Sequence, residues 1–250
     1  MKRSLSHAAA IMLLTASAAA CAQISDPNKL VAPAPRNPAS HRALPQKTTG
    51  NEQWLWEFTR PEPNGRAYAL RVDARFQQLL SENFKQPQAM WGTDEHRLAL
   101  PQLIPLFLDR YGEALAEKNR YFIADGCVPR FCPAQGLLWI DLGQKTPLMV
   151  FAAVNWTATA HTTDQAAAEY NLWLFPNRTL SADSIPLALS EAIAHWNMRL
   201  AAAHRLVPHI EHALLVEPDG SPFALTPELV GANTLAPQPD TVTPKPADSE

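Results

Sequence analysis

The sequence predicts an α+β domain: an antiparallel β-sheet of about four to five strands, helices packed on it, and a disulfide-closed loop between two of the strands. Three observations lead there. Apolar residues recur at helical spacing twice in the first half, short aromatic or β-branched runs separated by Gly, Pro, Asn and Asp fill the middle, and a further helical stripe follows. Helices grouped before and after a block of strands indicate an α+β arrangement rather than alternating βα units.

Taken in order, Trp54, Trp56 and Phe58 alternate with polar or smaller positions, and residues 67–72 read as a short strand. Phe76, Leu79, Leu80 and Phe84 predict a helix over 74–84. Leu100, Leu103, Ile104, Phe107, Leu108, Tyr111 and Leu115 form a second amphipathic stripe, with Pro105 at a kink or in the first turn. The runs Tyr121-Phe122-Ile123, Leu137-Leu138-Trp139-Ile140, Leu148-Met149-Val150-Phe151 and Tyr170-Asn171-Leu172-Trp173-Leu174-Phe175 predict the strands of an antiparallel meander. A third helix starts at Ile185 or Pro186 and buries Leu189, Ile193, Trp196, Leu200 and Ala203. Residues 213–216 are read as a last strand before Pro218-Asp219-Gly220.

Composition sets the domain organisation. The chain has 250 residues, 46% hydrophobic and 18% charged, so apolar content is sufficient for an ordinary globular core. A net charge of -3 gives no electrostatic reason to expect nucleic acid as a partner. The prolines crowd the ends. Lys2 and Arg3, an apolar stretch over 8–14 and small residues over 15–20 have the layout of a secretory signal peptide, too short to span a bilayer. Cleavage before Cys21 and cleavage before Gln23 both fit. The first would expose Cys21 for lipidation, since Ala18-Ala19-Ala20-Cys21 resembles a bacterial lipobox with Ala where Leu is usual. Residues 21–50, with Pro27, Pro33, Pro35, Pro38 and Pro45, read as an extended tether. The globular domain is expected over 51–217, and residues 218–250 as a Pro-rich, largely disordered tail in which Phe223, Leu225 and Leu229 dock first. This layout predicts a periplasmic protein, anchored to the outer membrane if Cys21 carries lipid, with no mature transmembrane helix.

The most specific motif is Gly126-Cys127-Val128-Pro129-Arg130-Phe131-Cys132-Pro133. Disulfides persist in exported proteins, so Cys127 and Cys132 are expected to close a small ring joining adjacent strands. Pro129 stiffens the ring, and Val128, Pro129, Arg130 and Phe131 form its tip. A cation and an aromatic held rigidly lose little entropy on binding, which suits an interface anchor. A purely structural staple whose tip faces water fits the same residues.

This C-x-P-x-x-C hexapeptide, between a strand beginning with Tyr121 and a second apolar strand, resembles the loop of the Ivy family, periplasmic inhibitors of c-type lysozyme. Cys127, Pro129 and Cys132 match the family. The helical stripe from Phe76 to Phe84 followed by Ala89-Met90-Trp91 is similar to the family's early helix and Pro-Ala-Trp segment. Arg130 stands where the family has the His that reaches the lysozyme carboxylates, Phe131 where it has Asp, and Val128 where it has Lys. The resemblance implies a binding protein: Cys127 and Cys132 hold the loop, Arg130 meets a catalytic acid pair and Phe131 packs on a cleft wall. The alternative is a structural or assembly lipoprotein of the envelope with no inhibitory activity.

Other chemistry is weakly signalled, and neither a cofactor nor a metal is expected. The chain lacks the nucleophile-elbow, phosphate-loop and zinc-helix motifs. His204, His209 and His212 with Glu211 are the nearest approach to a metal cluster, with His209 and His212 on one face if the element is helical; exposed histidines are the plainer reading. Asp125 and Asp141 flank the loop region as a conceivable acid and base, but Asp is common where strands turn. Trp139, Trp156 and Trp173 would line a groove only if they shared a face; otherwise they fill the core.

Overall fold

The structure is a computed structural model that describes residues 51–59, 66–109, 112–156, 169–204 and 209–234. Residues 1–50, read from sequence as a signal segment, the lipidation candidate Cys21 and a tether, lie outside the described residues. Seven strands form one sheet in sequence order: β1 (Ala114–Glu117), β2 (Tyr121–Val128), β3 (Phe131–Asp141), β4 (Leu148–Trp156), β5 (Glu169–Pro176), β6 (His209–Val216) and β7 (Pro222–Leu225). Among the described residues four helices accompany it: α1 (Arg66–Val72), α2 (Ala74–Asn83), α3 (Leu100–Phe107) and α4 (Leu187–His204). Short 3-10 segments include Asn51–Thr59 and Pro227–Val230.

The α+β class and the helices at 74–83 and 187–204 agree with the sequence reading. The sheet is larger than four to five strands. It is also not wholly antiparallel, because β5 and β6 pair in parallel. A parallel pair needs a crossover connection, and α4 lies between these two strands in the chain.

Why β2, β3 and β4 read as near-continuous apolar runs is now evident: each is buried on both faces. On one face Phe122, Ala124, Leu138, Ile140, Met149 and Phe151 meet Phe76, Leu80, Leu103 and Phe107 of the N-terminal helices. On the other, Ile123, Leu137, Trp139, Val150 and Ala152 meet Leu189, Ile193 and Trp196 of α4, with Val230 and Ala232 from the C-terminal segment. Alternate residues of one strand therefore build two separate cores.

Four local readings need correction. Residues 51–59 are a 3-10 helix; Leu55 and Phe58 bury at the three-residue spacing of that helix, whereas Trp54 and Trp56 lie at the margin. Residues 67–72 belong to α1 rather than to a strand. Only Leu70 among residues 68–72 is buried, Tyr68 and Val72 point outward, and the Ala, Arg and Leu content favours helix. The second amphipathic stripe stops at Phe107, with Pro105 inside the helix, and Leu115 instead enters β1. Lys118 and Asn119, both with φ +52°, turn the chain from β1 into β2. Finally, the sheet extends beyond Glu217: β7 pairs with β6 through Leu215↔Phe223 and Ala213↔Leu225, so the segment expected as tail contributes structure through Thr234.

The α3 end approaches the sheet where glycines oppose each other. Gly126 and Gly136 are cross-strand partners, and a Cβ on Gly126 would lie 2.6 Å from the Leu108 carbonyl carbon. A Cβ on Gly136 would lie 2.7 Å from Phe107 Cβ. Backbone cannot yield to such contact as a flexible side chain does, so Gly126→Ala should lower stability by about 1–3 kcal/mol. The check is the urea midpoint at unchanged m-value; a midpoint equal to that of the parent would disprove the close approach.

Candidate functional site

The Cys127–Cys132 ring closes the β2–β3 hairpin. Val128 pairs with Phe131, Pro129 and Arg130 form the turn, and the cysteines occupy the next position inward with Cα atoms 4.9 Å apart. That separation lies in the ordinary range for a disulfide. Beyond it the register jumps, because Cys127 pairs with Gln135, leaving Cys132, Pro133 and Ala134 as extra residues on β3. A bulge of this kind twists and re-aims the end of a hairpin.

Arg130 has φ +65°, the left-handed region. Its place after Pro129 is the one that requires positive φ in a type II turn, where Gly is the usual occupant. Holding a non-glycine residue there costs about 1–2 kcal/mol. Pro129 presets the preceding angle and the disulfide restrains both arms. Arg130 is exposed and has no ion pair among the described residues.

The four tip residues do not share one environment. Val128 is 5% exposed and belongs to the core cluster, so it offers no surface to a partner. Pro129 is half-buried. Phe131 is 39% exposed, but its ring lies 6.0 Å from that of Trp91. Trp91 in turn meets Phe107 edge-on at 5.2 Å, and Phe107 meets Phe151 at 6.0 Å. A continuous aromatic contact path thus runs from the loop tip into the core.

Gln88 holds the Trp91 segment in place. Almost fully buried, it donates from Nε2 to the carbonyls of Trp91 at 2.9 Å and Leu98 at 2.8 Å, and its Oε1 accepts from the Trp91 N–H at 2.9 Å. In the sequence Trp91 stands out only within the Ala89-Met90-Trp91 resemblance, and Gln88 not at all. No spacing rule connects these residues to a loop forty positions away.

Asp125 and Asp141 are not an acid–base pair. Asp125 lies inside β2, not at a turn; Oδ1 accepts from the Glu113 N–H at 2.9 Å and Oδ2 from Arg199 Nη2 at 2.7 Å. Asp141 ends β3 and takes a two-point contact from Arg120, at 2.7 Å to each oxygen, plus hydrogen bonds from Gly143 and Gln144. Four residues of strand separate Asp141 from Leu137, the partner of Asp125, a distance of roughly 14 Å. Burial pushes the Asp141 carboxyl up, but the bonds from Arg120, Gln144 and Gly143 outweigh it and hold the group below its usual range.

The remaining candidates separate as well. Trp139 is wholly buried beneath α4, whereas Trp173 belongs to the opposite face, stacked at 6.4 Å on Phe175, so these two line no common groove; the side chain of Trp156 lies outside the described residues. His209 and His212 lie on β6 rather than on a helix, and both are exposed with Glu211. A shift in the β5–β6 pairing falls at this point. Among the described residues no group of three or more metal-ligating side chains converges.

Fold and site together define a mostly antiparallel α+β domain that presents a disulfide-closed hairpin tip. Comparison with protein families, curated proteins and solved structures finds no match to this chain.

Two outcomes are expected from this geometry. Replacing Cys127 and Cys132 together with Ser should lower stability by about 2 kcal/mol, the loop-closure value for so short a ring. Chemical denaturation of oxidised parent and double variant measures it, and equal midpoints would contradict it. For Asp141, a folded pKa below the unfolded one means its contribution is fully present above the unfolded value and is lost as pH falls through the folded value. Asp141→Asn should therefore reduce stability at neutral pH and flatten its decline on acidification, as followed by thermal melts from pH 7 downwards.

Proposed function

We propose that this chain is an exported protein of the cell envelope that acts by binding another protein through the Cys127–Cys132 hairpin tip. The observation that carries the reading is Arg130: a charged, exposed residue occupies a left-handed turn position that Gly would fill at lower energy. Strain retained at a tip, with the disulfide and Pro129 fixing its direction, is the arrangement expected of a preorganised contact residue.

In its best-defined form the partner is a lysozyme-like glycosidase. Its active cleft carries acidic side chains, and a guanidinium on a stiff, narrow hairpin can enter such a cleft and pair with a carboxylate through two hydrogen bonds. Phe131, partly exposed and braced by Trp91, would pack on the cleft wall. Pro129 would contribute shape, and Val128 would support the tip from the core side. No substrate bond is made or broken by this chain, and no cofactor or metal takes part. Export and anchoring through Cys21 rest on the N-terminal sequence pattern, which would place the domain in the periplasm at the outer membrane. The Phe131–Trp91 contact favours a second reading, in which the ring is a structural staple of an envelope assembly protein.

Titration of the oxidised chain against c-type lysozyme turnover separates these readings. Stoichiometric loss of lysozyme activity is expected, with Arg130→Ala weakening inhibition by about tenfold or more, the value of a lost charged hydrogen-bond pair. Arg130→Gly should inhibit as poorly while melting higher than the parent, because it relieves the turn. Unchanged lysozyme activity at large molar excess would remove the inhibitor reading.

A further inference from the structure

A second site lies far along the sheet from the hairpin, where β6 and β7 meet the segment after β5. Leu180, Ala182, Leu215, Phe223 and Leu225 line a cleft of about 630 Å³ together with Glu217. That volume is within the range that holds small organic ligands. The lining is mainly apolar, and its charged members, Glu217 and Asp219, are both acids; among the described residues no Lys, Arg or His lines it.

Glu217 gives the cleft its chemical character. The residue is 8% exposed, its Oε1 accepts a hydrogen bond from the Leu180 N–H at 3.2 Å, and its Oε2 is buried with no hydrogen-bond partner. An unpaired buried carboxylate oxygen is costly, and a ligand that brings a donor would remove that cost. The terminal torsion of Glu is soft, so the carboxylate can turn to share its oxygens between Leu180 and a ligand. Asp219 adds negative charge at the same cleft, its carboxyl held below the usual range by the Ser221 backbone N–H. Phe223, 53% exposed, supplies an aromatic face. A carboxylate and an aromatic ring lining one cleft make a pairing that can receive an organic ammonium group.

We propose that this cleft binds a small amphiphilic cation, an ammonium carried on an aromatic or aliphatic body, with Glu217 as counter-ion and the apolar lining enclosing the body. This site is independent of the hairpin reading and survives its failure.

The test is titration of the full chain with 2-phenylethylamine, followed by calorimetry, with 2-phenylethanol as the neutral probe of equal shape. Saturable one-site binding of the amine is expected, with the alcohol and Glu217→Gln each weakening it by about tenfold or more. Glu217 is structural as well as chemical, so Ala182→Trp, a substitution at a half-buried lining position, serves as a second variant and should abolish binding by filling the cleft. Equal affinity for amine and alcohol, binding unaffected by Ala182→Trp, or no saturable binding of the amine would each overturn the proposal.

Discussion

Much of this molecule depends on how closely α3 lies against the β2–β3 pair. Because Gly126 and Gly136 face each other across the strands, the backbone at Phe107 and Leu108 comes down where side chains would otherwise hold it away. Phe107 is thereby placed to meet Phe151 in the core and Trp91 outside it, and Trp91 supports Phe131 at the hairpin tip. Two residues without side chains thus position a series of aromatic rings. The disulfide fixes the ends of the turn, whereas this packing fixes where the turn stands relative to the rest of the domain.

The legible parts of the sequence were those governed by local periodicity. Helical spacing found α2 and α4, and the apolar runs found the cores of β2, β3, β4 and β5, because a strand buried on both faces has no polar side to hide its signal. Failures occurred where tertiary contacts decide. Leu115 continues the spacing of α3 perfectly, yet it pairs with Ile123 in β1. Phe223 and Leu225, expected to dock from a proline-rich tail, do so as a strand beyond the expected domain end at Glu217, because Leu215 and Ala213 give them a partner to pair with. The parallel β5–β6 pairing leaves no trace in either strand alone.

At the hairpin the cysteine spacing announced the ring, and Pro129 its stiffness. What spacing could not convey was direction. Val128 turns inward and Arg130 outward because β2 ends one residue before a left-handed turn, a distinction of backbone angle rather than residue type. Trp91 and Gln88 were harder still, since their role exists only once α3 has brought distant segments together. The carboxylates at Asp125 and Asp141 illustrate the converse: their hydrogen bonds to Arg199 and Arg120 make them braces, although residue type alone suggested chemistry.

The crossover through α4 has a kinetic meaning. Strands β1 to β5 follow one another as antiparallel neighbours, so most of their contacts close short loops and can form early. The β5–β6 edge must wait until the intervening chain, including the eighteen residues of α4, has returned across the sheet. Pairings of greater sequence separation form more slowly. The domain therefore has a built-in order of assembly, with the meander and its hairpin as the early unit and the β6–β7 edge as the last part to dock. That order puts the disulfide-bearing hairpin in place before the C-terminal edge completes the sheet.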